Sequence, residues 1–236
     1  MRAARAAFPG WSGKTAYNRA QILYRVAELM EGRRDQFVAE VAHTEGVETS
    51  HAESLVADAI DRWVWYAGWC DKLAQVMGNA NAVAGPFYNF SVPEPTGIVA
   101  CVAPADSSLL GLVSVLAPAL VPGNSCIVVA STARPVPAIT LAEVIATSDV
   151  PAGVVNILTG DPAEIMPWLA SHGDVNGLDL SGIDEPDLAL ELEQLAAGTI
   201  KRVRQPVLGH DWQSDPGMGA LRSFVETKTV WHPQGV

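Results

Sequence analysis

Apolar positions along this chain fall into alternating blocks of strand and helix period. The clearest block is 97–122, GIVACVAPADSSLLGLVSVLAPALVP. Ile98–Val102 is a short β-rich run of the kind buried on both faces of a sheet. Pro104-Ala105-Asp106-Ser107 reads as a turn carrying two helix caps. Leu109 to Leu120 is then apolar at helical spacing until Pro122-Gly123 stops it. The following run, Cys126–Ala130, completes a βαβ unit, whose crossover is right-handed by default.

Upstream, residues 1–13 read as a loop-like entry broken at Pro9-Gly10. Tyr17 to Met30 is an amphipathic helix with Ile22, Leu23, Val26, Leu29 and Met30 on one face, and Arg34 to Val41 repeats the pattern. A longer helix is expected to open at Ser50, where Ser50-x-x-Glu53 fits a capping box. Its stripe runs from Leu55 through Trp63 and takes in Trp65, Tyr66 and Trp69. That stripe keeps a 3.6 period, so it reads as helix-to-sheet packing rather than a ligand cage. Gly78–Gly85 reads as a linker, and Pro86–Val92 as an exposed strand edged by prolines.

Downstream, helices are expected at Pro135–Ala146, Pro162–Ser171 and Pro186–Ala197, with strands at Val154–Leu158, Val175–Leu180 and Ile200–Arg204. Strands and helices alternating in this way indicate an α/β fold with an open, mostly parallel sheet. Periodicity is lost over Pro206–Gly219. Leu221–Trp231 is again β-branched and aromatic, a terminal strand that must pair with something to be stable.

Composition narrows the functional classes. The chain has 236 residues, 49% of them hydrophobic and 17% charged, which is a globular balance. A formal net charge of −11 argues against nucleic acid, whose binding needs a basic footprint. No apolar run reaches membrane-spanning length and no signal peptide is evident, so a cytoplasmic location is expected. Cys70, Cys101 and Cys126 form no CxxC pair. Each falls within a buried helix or strand pattern, where a free cysteine acts as a small hydrophobe. The five histidines have no metal-ligand spacing. His210-Asp211 beside Trp212 reads as part of a flexible solvated link rather than an acid–base pair.

Several stretches together carry a resemblance: AFPGWS, NRAQILYRVAELMEGR, EPTGIVACVAP, LAPALVPGNS, VPAGVVNILTG and LRSFVETKTVW. The chain resembles the aldehyde dehydrogenase superfamily from Ala7 to Arg204 and again from Gly219 to Trp231. The resemblance implies a Rossmann-like coenzyme-binding domain over residues 1–205, which includes N-terminal helices and an arm strand at 86–93. It implies a linker at 206–220 where the family has its catalytic domain, and a C-terminal oligomerisation strand at 221–236. The arm interface would be formed by Phe87, Tyr88, Phe90, Phe224, Val225, Thr227, Thr229 and Trp231.

The departures from the family pattern bear on function. The interval that would carry the cysteine nucleophile is missing. The position of the oxyanion-hole asparagine is Asp106, and a carboxylate repels a developing oxyanion. The general-base glutamate falls at Pro206, which accepts no proton. The lysine that holds the adenosine ribose corresponds to Val129, with Thr132 at the following glutamate position. Only Ser181 and Gly182, in Leu180-Ser181-Gly182-Ile183, survive as candidate cofactor-binding residues. There Asp184-Glu185 would suit the helix dipole yet repel a phosphate.

The resemblance therefore implies a degenerate, non-catalytic chain, like the second half of some two-domain aldehyde dehydrogenases. No cofactor is expected on this chain, with NAD(P) held by a partner, a full-length aldehyde dehydrogenase subunit. Self-association is the other expectation. Two alternatives stay open: an NAD(P)-binding subunit whose catalytic residues come from a partner chain, and a nucleotide-sensing module without chemistry.

Overall fold

A computed structural model describes residues 1–206 and 209–235. Val207 and Leu208 of the expected linker, and Val236 of the expected terminal strand, lie outside the described residues.

The entry segment is a helix rather than a loop: α1 spans Arg2–Ser12 and contains Pro9. Proline gives up one helical hydrogen bond. The helix continues because Ala4 and Trp11 are fully buried and Trp11 Nε1 donates to Leu120 O at 3.3 Å. Helix α2 (Ala16–Gly32) is capped by the Thr15 hydroxyl, and α3 (Arg34–Glu45) ends at Gly46 in the left-handed conformation. Helix α4 (Thr49–Ala67) starts one residue before the expected capping box. Ser50 is thus already inside the first turn, and Glu48 is the N-cap without a side-chain bond. The aromatic stripe of α4 packs against α2, α3 and α6 (Leu110–Leu120), so it is helix-on-helix rather than helix-to-sheet packing. Trp63 and Tyr66 are buried there, and Trp65 meets Tyr66 edge-on at 4.9 Å.

After the short α5 (Leu73–Met77), part of the expected linker forms β1 (Asn79–Asn81), which pairs antiparallel with β2 (Phe87–Pro95). The central unit then follows as β3 (Ile98–Val102), α6 and β4 (Ser125–Val129), with every residue of both strands buried. The rest of the domain is α7 (Val136–Ala146), β5 (Val155–Leu158), α8 (Pro162–Ser171), β6 (Gly177–Asp179), α9 (Pro186–Ala197) and β7 (Arg202–Arg204). Strands β6 and β7 are shorter than the apolar pattern suggests. The five strands form one parallel sheet in the order β5-β4-β3-β6-β7. Successive residues of β3 serve two cores: Val99 and Cys101 face the α2–α4–α6 layer, while Ile98, Ala100 and Val102 face α8 and α9.

The link is not solvated throughout. Trp212 is buried, and the enclosed Arg62 donates from Nη2 to Trp212 O (2.8 Å) and Ser214 O (3.0 Å). The expected strand at Leu221–Trp231 begins instead as helix α10 (Gly219–Ser223) and becomes β8 (Val225–Pro233) only afterwards. Strand β8 completes an antiparallel arm of order β1-β2-β8. Phe224 is a correction to the expected interface. It is wholly buried in the domain core, because it sits at the α10–β8 corner with its ring against Gly177. Among the described residues no helix is long and apolar enough to cross a membrane.

Candidate functional site

Strand order reverses at β3, which is followed by β4 on one side and has β6 on the other. In open α/β sheets this is where a crevice opens beyond the carboxyl ends of the strands. A cavity of about 420 Å³ lies there, bounded by Ala103, Ser131, Thr132, Asp161, Gly182 and Asp184 among others.

The walls are held by their own hydrogen bonds. Ser131 Oγ donates to Ala105 O at 3.2 Å, and Thr132 Oγ1 to Gly160 O at 2.9 Å. Arg134 Nη1 donates to Asp106 O, which spends that guanidinium on the backbone of the rim. The start of α6 is closed as well. Ser107 Oγ accepts from Gly111 N at 2.9 Å, and Glu45 Oε1 accepts from both Ser108 N (2.7 Å) and Ser108 Oγ (2.6 Å).

Ser181 and Gly182 have structural occupations. Ser181 is buried, and both its amide and its hydroxyl donate to Asp179 Oδ1. Asp179 is itself fully enclosed and paired with Arg204 Nη1 at 2.9 Å. A Cβ on Gly182 would stand 2.5 Å from Val102 O and 2.6 Å from Ala103 C. Glycine is required there for the turn to pack on the end of β3. Val129 points into the core beneath α8 and α9, so its replacement by lysine would bury an ammonium rather than present it to the crevice. The residues after β4 that do line the crevice are Ser131 and Thr132, a placement that counting along the strand misses.

Charge sets the character of the cavity. Its lining contains Asp161, Asp184 and Glu185 and no lysine, arginine or histidine. Burial, then Asp106 and Glu185, push the Asp184 carboxyl above its usual range. The N-terminus of α9 points here with Pro186, which has no N–H to offer, at its first position and Asp187 in its first turn. Pro206 borders an adjoining hollow of about 260 Å³ that shares Ile183 and Asp184 with the crevice. His210 stacks edge-on against Trp212 at 4.5 Å instead of pairing with Asp211. Burial, then Arg204, lower its pKa. Among the described residues no group of three or more His, Cys, Asp or Glu side chains gathers as a metal site.

None of the three thiols reaches the crevice. All are free and buried, Cys70 in the turn after α4. Burial pushes the Cys70 thiol up to about 12. Cys101 is held well above the ordinary thiol range by the neighbouring Cys126 thiol and by burial. An aromatic disulfide reagent is therefore expected to titrate no thiol of the native chain within minutes at neutral pH, and three in guanidinium. Rapid modification of any native thiol contradicts this placement.

A profile of the aldehyde dehydrogenase family matches residues 1–226. Hydroxyisobutyraldehyde dehydrogenase of Mycolicibacterium austroafricanum is 34% identical over 179 residues, covering 74% of this chain and 34% of that protein. Mouse cytosolic 10-formyltetrahydrofolate dehydrogenase is 30% identical over 208 residues, covering 86% and 23%. The crystal structure of an aldehyde dehydrogenase from Brucella melitensis biovar abortus superposes with a TM-score of 0.78 at 25% identity, over 85% of this chain and 41% of that one. The chain thus spans well under half the length of these relatives, and it belongs to the aldehyde dehydrogenase family.

Proposed function

We propose that this chain is a non-catalytic aldehyde dehydrogenase-like subunit, structural or regulatory within a hetero-oligomeric NAD(P)-dependent assembly. The observation that carries the reading is the crevice, whose charged lining is acidic and which contains no cation. The residues present do not fit a dinucleotide. Its pyrophosphate would meet Asp184 and Glu185, while Pro186 leaves the α9 terminus one amide donor short and Asp187 adds a carboxylate to its first turn. Each charge-assisted contact that this crevice cannot make is worth roughly 1.5–3 kcal/mol, about ten- to a hundredfold in affinity. Asp106 at the rim, Pro206 beyond β7 and three inaccessible thiols support the absence of acyl-transfer chemistry on this chain. NAD(P) and the reacting groups are then supplied by a full-length aldehyde dehydrogenase subunit.

One feature favours the alternatives: a cavity of about 420 Å³ remains at the position where α/β folds bind ligands. Calorimetry with NAD and NADP separates the readings. Weak or absent binding, and no NAD(P)H formed by the pure chain from a panel of aldehydes, are expected. Micromolar binding without turnover supports the nucleotide-sensing module, and aldehyde-dependent NAD(P)H production by the pure chain refutes the non-catalytic reading.

A further inference from the structure

The arm has one closed edge and one open edge. Phe224 O accepts from Thr96 N (3.4 Å) and Gln234 N donates to Pro86 O (2.8 Å), at opposite ends of the β2–β8 pairing. In an antiparallel ladder these contacts set the alternation. Even-numbered residues of β8 direct their backbone groups at β2. Val225, Thr227, Thr229 and Trp231 direct theirs to the other side, where no described strand lies. The opposite edge of the arm is covered by β1 over Asn89–Ser91. Beyond β1, Pro93 and Pro95 fall at the positions of β2 whose missing N–H would point outward.

The guard charges that usually protect an open edge are engaged inside the chain. Lys228 Nζ pairs with Glu94 at 2.9 Å, and Glu226 pairs with Arg202. Trp231 remains 57% exposed beside this edge. A nine-residue strand with outward donors and committed charges is incomplete as it stands.

We propose that β8 pairs antiparallel with β8 of a second copy of this chain, about a two-fold axis at Thr229, joining two arms into one continuous sheet. The occupant follows from self-complementarity across such an isologous contact. Centring on Thr229 overlaps the whole strand, with Glu226 opposite His232 of the other copy, Trp231 opposite Thr227, and Lys228 opposite Val230. The neighbouring registers allowed by the outward-facing groups are worse. Centring on Val230 leaves Val225 and Glu226 outside the overlap, and centring on Lys228 sets that ammonium against its own copy. Like charges directly opposed across strands destabilise the pairing. Centring on Thr227 keeps only the first five residues of β8 in overlap. This dimer rests on the strand alone and not on the function proposed above.

Sedimentation equilibrium of the full chain tests it, with Thr229→Pro as the variant. The proline removes an outward N–H at the axis from both copies and leaves the bonds to β2 in place. The wild-type chain is expected to dimerise in the micromolar range, and the variant about tenfold or more weakly. Hydrogen exchange gives a second readout should the variant fold poorly. Amides of Thr227, Thr229 and Trp231 should slow as wild-type concentration rises, while those of Glu226, Lys228 and Val230 stay constant. A chain that is monomeric up to sub-millimolar concentration, a folded variant that dimerises like wild type, or exchange without this alternation would overturn the proposal. Failure here leaves the calorimetric test of the function untouched.

Discussion

Replacing Arg204 with methionine is expected to cost about 3–5 kcal/mol of folding stability, the range for removing one partner of a buried ion pair. Asp179 ends β6 with no solvent exposure, and Arg204 ends β7 at 20% side-chain exposure. With the guanidinium gone, the carboxylate keeps only the Ser181 donors and has no opposite charge within reach. Against a typical total of about 5–15 kcal/mol the loss is large enough to shift a urea midpoint visibly. Asp179→Leu combined with Arg204→Met should recover much of it, because the uncompensated charge is what costs. A single variant within about 1 kcal/mol of wild type would show that water reaches Asp179 and that the pair does not organise this end of the sheet. The site matters beyond stability. Ser181 and Gly182 form the turn that bounds the crevice, and Asp179 fixes that turn from beneath.

The fold was legible in the sequence wherever the apolar pattern was continuous. Ile98–Val102, the helix ending at Leu120, and Pro186–Ala197 announce themselves through period, proline and glycine alone, because each is decided by local burial on a known face. Segments decided by distant contacts were not. Pro9 looks like a breaker until Trp11 is seen to reach Leu120 across the domain. The aperiodic link looks solvated because its anchor, Arg62, lies 150 residues away from Trp212. The same limit applies to the crevice. Asp106, Asp184 and Glu185 could be read as a departure from the family's chemistry, but the shared environment of Asp106 and Asp184 appears only in three dimensions. Val129 shows the converse: strand alternation, more than counting along a motif, decides whether a residue faces ligand or core.

Phe224→Ala is expected to destabilise the chain by about 3–5 kcal/mol, as for other fully buried phenylalanines. The strand pattern grouped Phe224 with Thr227, Thr229 and Trp231, yet it belongs to a different structure. Its ring stands where a Cβ on Gly177 would come within 2.8 Å of Cδ1, so ring and glycine are fitted to each other. Its carbonyl accepts from Asn124 Nδ2 at 2.9 Å. Asn124, itself wholly buried, also donates to Ala119 O (2.9 Å) and accepts from Gly97 N (2.8 Å). The corner therefore hitches the arm to the entry of β3 and the end of α6. Truncating the ring opens a cavity beneath β6 but removes no backbone donor from the outer edge of β8. Chemical denaturation should report the stability loss, while sedimentation below the denaturation transition should find the wild-type association state. If the alanine variant instead keeps its stability and loses association, Phe224 is an interface residue after all and the corner is not the hinge between domain and arm.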